Sequence, residues 1–326
     1  MTKKRSFFLM FALWVFVLLS LFCAGLGFRT FIQVKKTKLF LNSRRAFDLA
    51  VSGVKIAKQV LEKDFNADAD KNNDNGFYVD HLQEEWAQPI EKEVEFSSPF
   101  KKGKLSVKIE DESGRFNINN IDDTNAVIDI KDGTTLIDTK NFKELFQEFF
   151  DKMEIDDASN KIDCILDYID ANDAYESRSP DSEKDAKNEK LSAPEELLLI
   201  KSISNEDYNK IKNFITVFGS DKKLNINTIK KELRNSLFDE LLGSLAKEVE
   251  DVRNNKEYYY TEDSGNCPKT EEMTCKKLPM ELPATLFKTK SNIFRVVSQG
   301  EVEGVSKKIT CVLDRAEGKI LYWYEE

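Results

Sequence analysis

FFLMFALWVFVLLSLFCAGLGF, Phe7 to Phe28, contains no charged residue and directly follows Lys3, Lys4 and Arg5. As a helix, about 22 residues rising about 1.5 Å each span about 33 Å, the hydrocarbon thickness of a bilayer. The apolar run stops at Phe28 but the helical period does not. Phe47, Ala50, Val51, Val54, Ala57 and Leu61 recur at steps of three and four, and no proline interrupts Phe7 to Leu61. The spacing predicts one long helix, its first half lipid-soluble and its second half the spine of a water-soluble domain.

Other readings of the same stretch compete with that one. A cleaved secretory signal needs a shorter apolar core and a small-x-small exit, which Cys23-Ala24-Gly25 supplies poorly. A lipoprotein site at Cys23 is opposed by the bulky Phe22 before it. A plain signal anchor fits. So does a prepilin leader: a short basic peptide ending at the small Ser6, then a continuous hydrophobic helix from Phe7. Such leaders usually end in Gly. Lys3, Lys4 and Arg5 favour a cytoplasmic N-terminus, yet Arg29, Lys35, Lys36, Lys38, Arg44 and Arg45 lie beyond the segment, so charge alone leaves orientation open.

At 326 residues the chain exceeds one typical domain, which suggests an anchor plus two soluble units. A net charge of -9 argues against a broad basic face for nucleic acid. Charged residues make up 33% of the chain, and no second apolar span follows the first. Five cysteines are too few for a disulfide scaffold. Cys267 and Cys275 flank a polar loop and are expected to pair if the soluble part is exported. Cys23 lies in the apolar span, and Cys164 and Cys311 read as core thiols. Zinc at Cys267 and Cys275 lacks two further ligands nearby.

Beyond the spine comes an Asp/Asn-rich stretch from Asp64 to Asp80. KLSVKI, Lys104 to Ile109, alternates as a half-buried strand, and Asp132-Gly133 marks a hairpin between Ala126–Ile130 and Thr134–Ile137. From Asn141 the period changes. Phe142, Leu145, Phe146, Phe149, Phe150 and Met153 make one amphipathic helix, and Ser159 to Ile169 a second. A capping box at Ser192 to Glu195 opens a short helix, and Ser204 with Asp207 opens another. These read as an inserted all-α subdomain. A further helix carries Ile229, Leu233, Leu237, Leu241 and Leu245 inward. Ile293–Val302, Lys307–Leu313 and Lys319–Trp323 form a closing antiparallel meander that needs a helix on one face, and the spine supplies it.

Catalytic constellations are scarce. His81 is the one histidine and reads as a surface or helix-start residue; there is no phosphate-binding Gly-Lys-Ser/Thr loop and no His-Glu-x-x-His. Carboxylate clusters are a better signal. Asp68, Asp70, Asn72 and Asp74 resemble half an EF-hand loop, without its glycine and its closing Glu. A second cluster, from Asp167 to Asp185, includes Asp173, Glu176, Asp181 and Glu183. An acidic linker is the plain alternative to calcium there. Leu224 to Thr228 superficially suggests a helix-hairpin-helix DNA module, but Gly219 is followed by Ser220 and Asp221 rather than basic residues.

Taken together, these segments resemble the minor pseudopilin K family of the type II secretion system. The likeness rests on Asp111-Glu112-Ser113-Gly114-Arg115-Phe116-Asn117-Ile118-Asn119, on Asp167-Tyr168-Ile169-Asp170, and on Asn188 with Ser192 to Leu197. Trp86 to Pro89, Asn225 to Thr228, and Ser291 with Phe294 complete it. The resemblance implies an α+β fold: a long N-terminal transmembrane and spine helix, a pilin-like antiparallel sheet, and an inserted all-α, SAM-like subdomain. The expected division is a leader at 1–6, a membrane segment at 7–28, the first part of the pilin-like domain at 29–138, the helical insertion at 139–222, and a second helical segment with the meander at 223–326.

The resemblance also implies a non-enzymatic tip subunit of a periplasmic pseudopilus. Prepilin peptidase would cut between Ser6 and Phe7, and the chain would stay in the bacterial inner membrane. Implied partners are the I- and J-type minor pseudopilins, with the outer-membrane secretin or exported protein as further contacts and no nucleic acid. Most pseudopilins carry Glu at the fifth mature residue; this family lacks it, and Phe11 stands there. Ala12, Gly25 and Gly27 permit close helix approach in lipid. Calcium on the helical subdomain is implied too, with Asp173, Glu176, Asp181 and Glu183 as candidate ligands. A type IV pilus minor pilin, or a membrane-anchored calcium-dependent enzyme or adhesin, is the alternative.

Overall fold

The structure is a computed structural model. It describes residues 2–69, 79–96, 102–121, 126–132, 135–169, 186–238, 243–255, 257–261, 275–279 and 285–326. Side chains of 2–6, 67–69, 126–139 and 236–246 are not part of that description. Helix α1 runs unbroken over Thr2–Ala69, 68 residues, as the absence of proline and the continuous periodicity require. Strands β1 (Ile90–Glu95) and β2 (Lys102–Asp111) follow. Then come the short β3 (Phe116–Asn117) and the antiparallel hairpin of β4 (Ala126–Asp132) and β5 (Thr135–Asn141). Helices α2 (Phe142–Lys152), α3 (Ala158–Ile169) and α4 (Asn205–Ile211) come next, with β6 (Ile215–Thr216) and β7 (Leu224–Asn225) behind them. Helices α5 (Lys231–Phe238) and α6 (Gly243–Asn254) precede β8 (Tyr258–Tyr260), β9 (Cys275–Lys277) and β10 (Phe287–Lys288). The chain closes with β11 (Ile293–Val302), β12 (Val305–Asp314) and β13 (Lys319–Glu325).

The main sheet has the order β1-β2-β11-β12-β13, antiparallel throughout. The terminal meander therefore does not stand alone: β2 zips along β11, from Phe294 opposite Asp111 to Val302 opposite Gly103. Its inward residues on one face are Leu105, Val107, Ile109, Phe294, Val296, Ile309, Cys311 and Leu313. Against them α1 lays Ala50, Val54, Ala57 and Leu61, with Ala46 and Leu49 meeting Val302 lower down. The contact stripe is small-sided, so helix and sheet come close. A Cβ on Gly300 would run into the carbonyl oxygen of Ala46, with Leu49 Cβ at 2.8 Å and Ala50 N at 3.0 Å. Ser298 Oγ donates to the Ala50 carbonyl at 2.7 Å across the same approach. A glycine inside a strand is the sequence mark of such a close approach.

The helical part has its own core. Phe116, Phe142, Phe146, Phe149 and Phe150 pack ring against ring, with centroids between 4.8 and 6.2 Å. Asn141 and Glu144 cap α2 with a reciprocal box, and Ser204 with Asp207 does the same for α4. This core extends on both sides of residues 139–222. It takes Phe116, Ile118 and Ile121 before them, and Leu224, Ile226, Ile229, Leu233, Val249 and Val252 after. It also reaches Val312 on the sheet face turned away from α1. The sheet is thus a wall between the spine and the helices.

Several local expectations change. Ser192 does not open an α-helix: Pro194–Leu199 is a 3-10 turn whose preceding Ala193 offers no side-chain cap. The long helix expected from Ile229 to Leu245 is described as two, α5 and α6, with 239–242 between them. His81 is buried, its ring stacked on Tyr258 at 4.1 Å, rather than lying on the surface. Burial holds its pKa down to about 4, so it stays neutral while Nδ1 accepts from Gln83 N.

Candidate functional site

Two features could serve a structural role: the outward face of α1 and the polar joint that holds the helices to the sheet. From Phe7 to Phe28 the side chains stand clear of the protein; Phe8 is 75% exposed and Phe11 61%. Ser20 Oγ donates to the Phe16 carbonyl and Thr30 Oγ1 to that of Leu26, so each hydroxyl is satisfied on its own helix, as lipid demands. Nothing lies within 4 Å of a Cβ placed on Gly25 or Gly27, which leaves a shallow face for another helix. Exposed apolar residues continue past the charge-free run through Phe31, Val34, Leu39 and Phe40. That surface reaches beyond the bilayer core before the sheet begins to cover α1 at Asn42 and Ala46.

The joint is built from the motifs at residues 111–119, 225–228 and 291. Asp111 sits at the end of β2. Its Oδ2 accepts from Thr228 Oγ1 at 2.6 Å, Ser291 Oγ at 2.6 Å and Asn225 Nδ2 at 3.0 Å. Its Oδ1 accepts from the Ser113 N–H and bends the chain. Gly114 is obligatory there, because a Cβ would press on the Thr228 carbonyl oxygen at 2.9 Å. Asn117, Asn119 and Asn120 then clasp the far segment by main chain. Asn117 Nδ2 donates to the Phe218 and Gly219 carbonyls, Asn119 Nδ2 to those of Leu191 and Val217, and Asn120 Nδ2 to that of Asp221. Asn227 similarly exchanges two hydrogen bonds with the backbone of Tyr259. Asparagine suits this work because one side chain donates and accepts like a peptide group.

A second knot ties the top of α1 to the meander. Arg315, from the β12–β13 turn, is buried. It donates to Asp64 Oδ2 at 2.7 Å, Asp80 Oδ2 at 3.0 Å and the Ser291 carbonyl at 2.7 Å. Its guanidinium lies over Phe294, 4.8 Å from the ring centroid. Burial raises Asp80 to about 6 despite Arg315, and burial with Asp64 and Asp80 nearby raises Glu84 to about 9. Glu84 Oε2 accepts from Trp86 Nε1 at 2.6 Å and from the His81 N–H at 2.9 Å. Trp86 is fully buried, edge-on to Phe294. Asp64, Asp80 and Glu84 bring carboxylate oxygens within 4.8 Å of one another, a geometry open to a metal. Arg315 already supplies a cation to two of the three, so the cluster reads as an ion-pair knot.

The remaining expected sites divide as follows. Ser6 lies within α1, though its side chain is outside the described residues; Phe7, Phe11 and Ala12 lie on the exposed half of α1. Asp173, Glu176, Asp181 and Glu183, and with them the calcium expectation, lie outside the described residues. Asp70, Asn72 and Asp74 of the EF-hand-like stretch do as well. Cys275 is disulfide-bonded, Cys23 and Cys311 are free thiols, Cys164 is buried in the helical core, and Cys267 lies outside the described residues. The residues the sequence reading missed are Gly53, Gly300 and Arg315. Gly300 carried a readable sign in its mid-strand position. Arg315 carried none, since a lone arginine in a turn is ordinary surface until its partners are known.

An exposed apolar half-helix continuous with a spine packed on an antiparallel sheet defines a pilin-like fold whose free half-helix fits a membrane anchor. Residues 114–220 match the family model described as "Type II secretion system (T2SS), protein K". Protein K of the type II secretion system of Pseudomonas aeruginosa is 27% identical over 94% of this chain and 87% of that relative. The fold is shared with a chain of the crystal structure of the GspK-GspI-GspJ complex from enterotoxigenic Escherichia coli. There the TM-score is 0.55 at 17% identity, covering 91% of this chain and 99% of that one. The chain carries the protein K domain at residues 114–220, and the likeness along its length supports a minor pseudopilin of the type II secretion system. That family is structural rather than enzymatic.

Proposed function

We propose that this minor pseudopilin caps the tip of the pseudopilus. Residues 7–28 would anchor it in the inner membrane, with the folded part in the periplasm and no catalysis of its own. The observation that carries this reading is the division of α1: one uninterrupted helix is bare below Asn42, with no charge from Phe7 to Phe28, and is packed along one face against the sheet above it. Phe11 supports the terminal place. Without a carboxylate there, no buried ion pair can dock this subunit beneath another in the membrane. The helical part adds bulk on the sheet face turned away from the spine, which would obstruct a further subunit.

The E. coli complex joins GspK with GspI and GspJ. We take I- and J-type pseudopilins as partners here, with the secretin or exported protein touching the helical part. Prepilin peptidase would cut between Ser6 and Phe7. The candidate calcium ligands Asp173, Glu176, Asp181 and Glu183 are all oxygen donors, the chemistry calcium takes, and a bound ion would pin their loop. Cys275 would pair with Cys267.

Copurification of the full chain with I- and J-type pseudopilins from detergent-solubilised membranes tests the assembly. Intact mass of the recovered chain tests the leader. A chain starting at Phe7 and held in that complex is expected; an uncut chain recovered alone would refute the reading. Titration calorimetry with calcium should give saturable heat, lost in Asp181→Asn with Glu183→Gln.

A further inference from the structure

Where the helical part meets the sheet, the fold leaves a cleft of about 170 Å³ that no role above uses. Arg115 lines it, and its side chain is only 3% exposed. One arm of the guanidinium is engaged: Nη2 pairs with Glu110. Nε stands 3.5 Å from Glu112 Oε1, and Glu112 is itself taken by Arg295 Nε at 2.6 Å. Nη1 has no hydrogen-bond partner at all. A buried guanidinium with an idle donor is costly unless something accepts from it.

The charges around it do not cancel. Arg115, Arg295, Lys108 and Lys230 are four cations, facing the three carboxylates Glu110, Glu112 and Glu195. One positive charge is in surplus, in a chain whose net charge is -9. Burial, with Arg115 next, holds the Lys230 pKa down, in keeping with crowded cations. The cleft wall adds neutral donors from Ser113, Ser220 and Asn292, and Lys288 in an ion pair with Asp221 at 3.0 Å.

We propose that this cleft binds a carboxylate, received by Arg115 and Lys288 with the neutral donors of the wall around it. A single negative charge matches the surplus. A dianion such as sulfate or phosphate would meet Asp221, Asp314 and Glu112, which also line the cleft. The planar guanidinium fork suits a carboxylate. Two sources share that chemistry: a small free carboxylate, or an acidic side chain of a protein laid against the helical part. This site stands on the cleft alone and does not require the tip position.

The test uses the full chain in neutral detergent at constant ionic strength, with trifluoroacetate as probe and its fluorine linewidth as readout. Saturable broadening in the low millimolar range is expected, reversed by acetate at a concentration where chloride does nothing. Ser220→Trp, which fills the mouth without touching Arg115, should abolish it while the thermal midpoint holds. Arg115→Lys should weaken it about tenfold. A peptide bearing one Glu that competes better than acetate, while its Gln counterpart does not, assigns the source to protein; competition by acetate alone assigns it to a free carboxylate. Absence of saturable broadening means the cleft holds water, and equal displacement by chloride means nonspecific anion binding. Either result, or broadening that survives Ser220→Trp, overturns the proposal.

Discussion

The two halves of α1 are one helix in two solvents, and they use small residues in opposite ways. Below Asn42, Gly25 and Gly27 face open space and leave room for a helix from another chain. Above it, Gly53 is spent inside the molecule: a Cβ there would stand 2.7 Å from Val107 and 2.9 Å from Leu105. The upper half is specified by the sheet it touches, to within a methyl group. The lower half touches nothing in the fold, and from Phe7 to Phe28 its sequence is constrained only to be apolar. Glycine in this helix therefore marks contact within the fold above, and below it would serve the proposed contact between subunits.

The strongest way to break that contrast is Gly300→Val. Its branched side chain would drive against the Ala46 carbonyl and the Ala50 amide, which are backbone and cannot rotate away. A loss of about 3 kcal/mol or more is expected, read as a fall in the urea midpoint of the detergent-solubilised chain. A midpoint at the wild-type value would show that the spine does not approach the sheet at this point.

Arg315→Met comes next. It leaves Asp80 buried with no cation and frees the top of α1 from the meander, for about 3 kcal/mol on breaking a buried pair. Because Asp64 and Arg315 join two regions far apart in sequence, hydrogen exchange should rise at 60–66 as well as at 313–319.

A pH experiment sharpens the same junction. Glu84, raised to about 9, and Asp80, raised to about 6, hold protons in the folded state that the unfolded chain has released. Folded groups with raised carboxyl pKa values lose stability as pH climbs from the unfolded value to the folded one. The urea midpoint should therefore rise as pH falls from 9 to 5. Glu110, held near 2 because Arg115 and Lys108 outweigh its burial, stays ionised throughout and contributes no slope there. Glu84→Gln keeps an acceptor for Trp86 and His81 and should flatten most of the dependence above pH 6. An unchanged slope in that variant would locate the titrating group elsewhere.

The smallest effect on stability belongs to Gly25→Ala with Gly27→Ala. With nothing within 4 Å, the folded domain should keep its midpoint within about 0.5 kcal/mol, while recovery with other pseudopilins falls. A loss of stability without a loss of partners would invert the comparison.

Periodicity and the absence of breakers were enough to read α1, the phase of its buried stripe, the hairpin at Asp132-Gly133, the helices from Phe142 and the closing meander. These are local properties, expressed within a few residues of their cause. The stripe is wider than the reading: Ala46, Leu49 and Gly53 join Ala50, Val54, Ala57 and Leu61, while Phe47 and Val51 pack half-buried at its edge. The motif at residues 111–119 was legible as a signature but not as a joint. Nothing in its letters says that Asp111 meets Thr228 and Ser291, or that its asparagines clasp backbone about a hundred residues away.

The amino-acid order alone determined a helix apolar and long enough to cross a membrane, continuing into a spine, and an alternation of strand and helix periods, because hydrophobic spacing acts over one or two turns. Only the tertiary structure decided that β2 completes the meander, that His81 is buried, and that Arg315 and Arg115 are held in the interior. Burying a charge depends on which distant groups surround it, and that is settled when the chain closes on itself.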